Sequence, residues 1–262
     1  TMMAHTSLGS GPIAYFGTEY QKEKYLSKLA TGEILGAFGL TEPNAGSDAG
    51  NTQTTATLSG KNYLINGQKA FCTNAGVAGV IIFTACLIEN GNNLGVSAFI
   101  VDSKTKGLQI GKPEKKMGWR GSDTRSIFFD NMHISKKNIL GKPTKGFGQF
   151  LQTLVGGRIT IGALSLGTAQ GAYEAALNYS KEREAFGKQI KDFQAINFKL
   201  ADMATSIEAA KHLVYHAAWL KDNKHPVIKE AAMAKLFASE MAMKVCTEAI
   251  QIHGGYGYIT EY

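Results

Sequence analysis

Apolar positions along this chain follow three rhythms, and each change of rhythm predicts a change of architecture. Near the start, Gln21-Lys22-Glu23-Lys24-Tyr25-Leu26-Ser27-Lys28-Leu29 carries its apolar residues at helical spacing, with Gly32 placed to end a short amphipathic helix. Residues 36–141 alternate or run apolar in short stretches. Thr52–Leu58 and Tyr63–Phe71 are joined by Ser59-Gly60-Lys61-Asn62, a hairpin signal, and Val80–Ile88, Val96–Val101 and Arg125–Phe129 read as further strands. Gly91-Asn92-Asn93 and the stretch Gly118 to Ser122 punctuate them. From Gly146 onward the spacing becomes three and four. It predicts helices over Arg158–Lys181, Phe193–Lys221 and from Pro226 to about His253. Gly162, Gly167, Gly171, Ala172 and Ala175 line the first of these, a small-residue pattern that predicts close helix packing in a bundle. The fold class expected is α+β: residues 1–35 as the end of a helical domain, 36–141 as a middle β domain, and 142–262 as an incomplete helical bundle.

Composition narrows the function classes. With 262 residues and 44% hydrophobic side chains the chain can bury substantial cores. Its longest apolar run, Val80 to Leu87, is strand-sized, so no membrane span is expected. Met2 and Met3 lead into His5-Thr6-Ser7 rather than a basic and apolar leader, and an opening Thr1 suggests a trimmed or excerpted chain. Cys72, Cys86 and Cys246 have no ligand-like spacing and read as reduced thiols. The net charge of +7 is dispersed over lysines without an aromatic-interleaved basic stripe. That argues against nucleic acid and favours a small phosphate-bearing ligand.

Two blocks carry candidate chemistry. Leu40-Thr41-Glu42-Pro43-Asn44-Ala45-Gly46-Ser47-Asp48 is a turn-rich loop with exposed amides and hydroxyls, and Lys69-Ala70-Phe71-Cys72-Thr73-Asn74 ends a strand on an aromatic, a hydroxyl and an amide. Thr41, Ser47 and Thr73 can donate hydrogen bonds to a planar cofactor that Phe38 and Phe71 could cover. Each residue alone has an ordinary alternative: Thr-Glu-Pro is a common turn entry, and an aromatic at a strand end is usually core. His212 and His216 share a helix face at metal-capable spacing but lack a third ligand, so no metal is expected. Gly141-Lys142-Pro143-Thr144-Lys145-Gly146 has phosphate-loop letters in the wrong order and reads as a loop.

Taken in order, the blocks resemble the acyl-CoA dehydrogenase family, closest to its short-chain, butyryl-type branch. Further stretches carry the likeness: Lys116-Met117-Gly118-Trp119-Arg120-Gly121-Ser122, then Glu182-Arg183-Glu184-Ala185-Phe186-Gly187-Lys188 with Phe193-Gln194, and Gln251-Ile252-His253-Gly254-Gly255-Tyr256-Gly257 with Thr260-Glu261. The resemblance implies non-covalent FAD, an acyl-CoA substrate, electron-transfer flavoprotein as electron acceptor, and a homotetramer in a bacterial cytoplasm or mitochondrial matrix. It implies that Leu40, Thr41 and Ser47 meet the flavin and its pyrophosphate and that Phe71 and Thr73 line the ring, with Thr73 facing the reactive N5; Phe38 stays a cofactor candidate from its chemistry. Arg183, Phe186, Gln194, Gln251, Gly254 and Gly255 would hold the adenosine end contributed by an adjacent subunit. Ser47, Gly157 and Arg158 would contact substrate.

For Arg183 the alternative is a surface pair with a neighbouring Glu; for Gly254 and Gly255, a helix C-cap; for Arg158, buried at a helix start, a structural carboxylate partner. Dehydrogenation also needs a carboxylate to take the α-proton. The family places it shortly after the glycine-rich motif, hence beyond Tyr262, or in a minority of members just before the arginine matching Arg158, where this chain has Gly157. No catalytic residue is therefore expected within the chain. The competing readings are an acyl-CoA oxidase or flavin monooxygenase on the same scaffold, or a base-less FAD- or CoA-binding protein.

Overall fold

A single mixed sheet of eight strands organises the first of two units in the computed structural model, Thr1–Gly157; the second begins at Arg158, and residues 1–261 are described. The strands are β1 (Leu35–Gly39), β2 (Thr55–Ser59), β3 (Asn62–Thr73), β4 (Ala78–Glu89), β5 (Asn92–Asp102), β6 (Leu108–Pro113), β7 (Thr124–Ser135) and β8 (Ile139–Leu140). Their order is β6-β7-β3-β2-β4-β5-β8, and β1 also pairs with β4. The expected hairpin forms as β2–β3. β2 begins at Thr55 rather than Thr52, because the N–H of Thr54 is held by a side chain, the Glu42 carboxylate. The turn after β4 falls on Asn90-Gly91, both at positive φ, so Asn92 and Asn93 already belong to β5. Short β1, β6 and β8 escape a periodicity reading. Leu-Gly-Ala-Phe-Gly, for instance, becomes a strand because β4 pairs with it in parallel.

β4 is apolar on both sides because both faces of the sheet are covered. Val80 and Ile82 pack with Ile13, Tyr25, Leu29 and Phe150, while Ile81 and Phe83 join Ile65, Phe99, Ile127 and Phe129. The ring of Phe83 lies 4.4 Å from Phe129 and 5.6 Å from Phe99. Ahead of the sheet come a π-helical segment (Ala4–Ser10), α1 (Gly11–Phe16) and α2 (Glu19–Thr31). The α2 helix is where the sequence predicts it. Thr18 and Gln21 cap it reciprocally, and Gly32 ends it at φ 76°. Gln21 Nε2 also donates to the carbonyls of Lys137 and Ile139, fastening α2 to the sheet. The π-helical segment approaches β1 so closely that a Cβ on Gly9 would stand 2.8 Å from the backbone of Gly36.

Three long helices follow: α3 (Gly146–Glu182), α4 (Gln194–Asp222) and α5 (Ile228–His253). α3 starts well before Arg158, since Gly146, Gly148, Gly156 and Gly157 mask its pattern. Arg158 is therefore inside a helix and half-buried, not buried at a helix start, and it makes no ion pair among the described residues. Pro226 precedes α5 rather than opening it. In the second unit, Leu200, Met203, Ile207, Ala210, Val214 and Ala217 form the buried stripe of α4, and α5 answers with alanines at 231, 234, 238, 242 and 249. Gly162 is the close-packing glycine of α3: a Cβ there would meet Val214 Cγ2 at 3.1 Å. Gly167 and Gly171 are exposed with open space around them, so of the three glycines in the small-residue pattern only Gly162 marks a close helix contact.

Candidate functional site

The pairing of β3 with β7 jumps register between Lys69 and Cys72, which leaves Ala70 and Phe71 as a bulge. Bulges bend a strand and re-aim its side chains. Here Phe71 takes φ 56°, a costly value for an aromatic, and its ring is 67% exposed. The bulge also frees the Ala70 N–H to donate to the Thr41 carbonyl at 2.8 Å, so the loop after β1 is tied to β3. Phe38, Leu40, Thr41, Ala70, Phe71 and Thr73 consequently face one cavity of ≈ 200 Å³, closed on its other side by Leu8 and Leu154. The hydroxyls of Thr41 and Thr73 make no hydrogen bond among the described residues, so both remain available as donors. Phe38 divides its ring between this cavity and a stack on Phe150 at 4.1 Å. Ser47 lies in the same loop, exposed and outside the cavity lining. Gly157 is buried behind the wall, where a Cβ would come within 3.3 Å of Leu8 Cδ2.

Behind the cavity lies a feature that sequence reasoning missed. β1 pairs with β4 as far as Phe83, and β2 takes over only near Cys86. The loop joining β1 to β2 leaves the sheet at this gap, and the ammonium of Lys69, at 0% exposure, fills it. Lys69 Nζ donates to Glu42 Oε1 at 2.6 Å, Thr84 Oγ1 at 3.0 Å and the Leu40 carbonyl at 3.3 Å. Glu42, 3% exposed, accepts in turn from the N–H groups of Gln53 at 2.6 Å and Thr54 at 3.1 Å. Burial pushes the Glu42 carboxyl upward, but the Lys69 charge with its hydrogen bond and the bonds from Thr54 and Gln53 outweigh it, holding Glu42 below the usual carboxylate range. Glu42 is thus fully engaged in holding the loop. The one hint in the sequence was a lysine at an inward-facing position of an apolar strand. Next to it, burial pushes the Cys72 thiol up to about 12, so it is an inert core group, and all three cysteines are unpaired.

In the second unit another set of residues converges. After α3 comes a tight hairpin, Glu184–Ala185 against Lys188–Gln189, whose two turn residues Phe186 and Gly187 both have positive φ (52° and 77°). This turn geometry normally selects Asn or Gly first; Phe186 accepts the strain and leaves its ring 95% exposed. Arg183 and Phe186 line a cavity of ≈ 580 Å³ with Phe193, His253, Gly254 and Gly255. Tyr179 stacks on His253 at 4.5 Å along one wall. Gly254 ends α5 at φ 60°, ψ −131°, a conformation reserved for glycine. The C-cap reading is therefore correct for Gly254, and the same residue also faces the cavity. Arg183 has no ion pair among the described residues, so the alternative of a surface pair with a neighbouring Glu does not hold. Gln194 opens α4 and Gln251 lies in the last turn of α5, both exposed and neither on the cavity wall. His212 pairs with Glu208 at 3.3 Å. A carboxylate beyond Tyr262 lies outside the described residues.

In the first unit the bulge sets an exposed aromatic beside the hydroxyls of Thr41 and Thr73, donors of the kind a planar redox cofactor uses; the second unit has its own arginine–glycine cavity. Comparison with known proteins makes the class specific. The acyl-CoA dehydrogenase N-terminal domain matches residues 1–33, the middle domain residues 37–132 and the C-terminal domain residues 144–262. A probable acyl-CoA dehydrogenase of Bacillus subtilis is 56% identical over 99% of this chain and 68% of its own length. The caffeyl-CoA reductase-Etf complex subunit CarC of Acetobacterium woodii is 50% identical over 98% of the chain and 68% of its own. The solved structure of butyryl-CoA dehydrogenase from Megasphaera elsdenii superposes with a TM-score of 0.96 at 49% identity, covering 100% of this chain and 69% of that one. The chain belongs to the acyl-CoA dehydrogenase family, and its cofactor is FAD.

Proposed function

We propose that the chain carries the flavin-binding part of a short-chain acyl-CoA dehydrogenase, with the cavity at Thr41, Phe71 and Thr73 receiving the flavin ring. The observation that carries this reading is the convergence on one cavity of two unpartnered hydroxyls, Thr41 from the loop after β1 and Thr73 from the end of β3, with the aromatic that the bulge turns outward. When bound, FAD supplies the acceptor for the β-hydride of the thioester. The chain's own residues would bind and orient it: Thr41 and Thr73 would donate hydrogen bonds to the ring, Phe71 would cover it, and Leu40, Leu8 and Leu154 would exclude water. Ser47, Gly157 and Arg158 are assigned to the substrate side. The carboxylate that removes the α-proton is assigned to a position outside Thr1–Tyr262, since Glu42 is engaged by Lys69 and the cavity wall carries no carboxylate.

The arginine–glycine cavity is assigned to the adenosine and pyrophosphate end of a flavin bound to a neighbouring copy. Arg183 offers a planar fork for phosphate oxygens, and Gly254 and Gly255 permit close backbone approach. Gln194 and Gln251 belong to this site only if they turn inward on assembly. Self-association, proposed as a homotetramer, is supported by the apolar side chains that α4 and α5 leave exposed, among them Phe198, Trp219, Leu236 and Met243. Electron-transfer flavoprotein is the proposed acceptor, a reading supported by the Etf complex subunit among the relatives. Among the described residues no helix is long and apolar enough to cross a membrane. A bacterial cytoplasm or mitochondrial matrix is the proposed compartment.

The test is anaerobic stopped-flow reduction with butyryl-CoA of the full-length protein, which supplies the assigned carboxylate, comparing parent and Thr73→Val. The hydroxyl should matter most as hydride arrives, so flavin bleaching should slow about tenfold while substrate affinity changes little, the size of one net hydrogen bond. Equal bleaching rates would remove Thr73 from the ring site. Rapid oxygen consumption without an added acceptor would favour an oxidase.

A further inference from the structure

We propose that Glu42 and Lys69 form a positioning pair for the flavin: they fix the Leu40–Thr41 backbone against the β3 bulge and so set how tightly the ring is held. The inference rests on the reading of the Thr41–Thr73 cavity as the ring site. It starts from where the two side chains are attached. Glu42 directly follows Thr41, and Lys69 directly precedes Ala70 and Phe71, so each partner is covalently adjacent to cavity wall. The pair also holds both ends of the intervening loop. Lys69 engages the Leu40 carbonyl and Glu42 at its entry, while Glu42 receives the Gln53 and Thr54 N–H groups at its exit. The Ala70 N–H bond to the Thr41 carbonyl closes the circuit between loop and bulge. A shift of the buried ammonium would therefore move Thr41 and Phe71 together.

Stability alone does not account for such a pair. Apolar side chains filling a buried site of this kind commonly give equal or greater stability, whereas they cannot direct the carbonyl of Leu40 or the amides of Gln53 and Thr54. What the ions add is geometry: Lys69 has three acceptors around one gap in the sheet, and Glu42 has donors from three separate residues. Neither residue touches the cavity itself, so both act through the backbone of their neighbours.

The experiment separates holding the fold from holding the flavin. The flavin-loaded full chain is compared with Glu42→Gln/Lys69→Met, which removes both charges, and with Glu42→Asp, which keeps the charges but withdraws the carboxylate by one methylene. Read out are thermal midpoint, FAD dissociation constant by fluorescence, and the shape of the visible flavin absorption band. The expected result is an FAD dissociation constant at least about tenfold higher in both variants, with a broadened band, while the double variant keeps a thermal midpoint near the parent's. A yellow parent whose variants bind FAD with parental affinity and spectrum would overturn the inference alone. Should the double variant fail to fold, Glu42→Asp decides by the same comparison. A parent that takes up no FAD would instead overturn the ring-site reading, and this inference with it.

Discussion

Lys69→Met is expected to destabilise the β domain by about 3–5 kcal/mol at neutral pH, the cost of leaving one member of a buried ion pair without its partner. Glu42 would remain nearly inaccessible, still bonded to Gln53 and Thr54, with no cation to balance it. The Leu40 carbonyl and the Thr84 hydroxyl would lose their donor in the same step. Chemical denaturation followed by far-UV circular dichroism measures the loss, and a change under about 1 kcal/mol would show that the site relaxes or hydrates. The pH dependence has a definite sign. In the parent, the folded-state pKa of Glu42 lies below its unfolded value. Its contribution is therefore present above the unfolded carboxylate range and is lost as pH falls through the depressed folded value. In Lys69→Met, burial is no longer opposed by the ammonium, so the folded pKa moves up and protonation relieves the variant. The stability gap between parent and variant should thus narrow from neutral pH toward about pH 4. A gap that widens on acidification would mean that Lys69 is not what holds Glu42 ionised.

Periodicity made the large elements legible because burial imposes it directly. β4 and the α4 stripe are apolar where they meet a core, and the Thr18–Gln21 and Gly32 caps are local chemistry written in adjacent residues. What stayed hidden depends on partners distant in sequence. β1 is a strand because β4 pairs with it, and the first turns of α3 are glycine-rich and carry no helical signature. Motif likeness gathered Leu40, Thr41, Ser47, Phe71 and Thr73 onto one list, to which chemistry added Phe38; the bulge and its tie to Thr41 give the physical reason that all but Ser47 share one cavity. The Phe186 hairpin was unreadable for the opposite reason. Phe186-Gly187 contradicts the usual turn preference at its first position, and local propensity yields where an aromatic has to be turned outward. The Glu42–Lys69 pair was the larger omission: a Glu in a turn and a Lys in a strand look like solvated charges until the sheet brings them to 2.6 Å.

Arg183→Ala is expected to raise the FAD dissociation constant about ten- to a hundredfold, the range of a charge-assisted hydrogen bond of about 1.5–3 kcal/mol. In the single chain Arg183 is exposed and makes no ion pair among the described residues, and in that state its charge does little for stability. Its effect should therefore appear in flavin retention and not in the unfolding free energy of the flavin-free protein. Arg183→Lys keeps the charge but loses the planar fork, so it should recover only part of the affinity. Because the proposed contact is made to flavin on a neighbouring copy, FAD affinity should also fall when the protein is diluted below its association midpoint. That dependence should be weaker in Arg183→Ala, where one of the contacts linking flavin to assembly has gone. Fluorescence titration of FAD at several protein concentrations measures both effects. An unchanged dissociation constant in Arg183→Ala would leave the cavity of Tyr179, Phe186 and Gly254 without a phosphate ligand. Full affinity in a demonstrated monomer would confine flavin binding to a single chain.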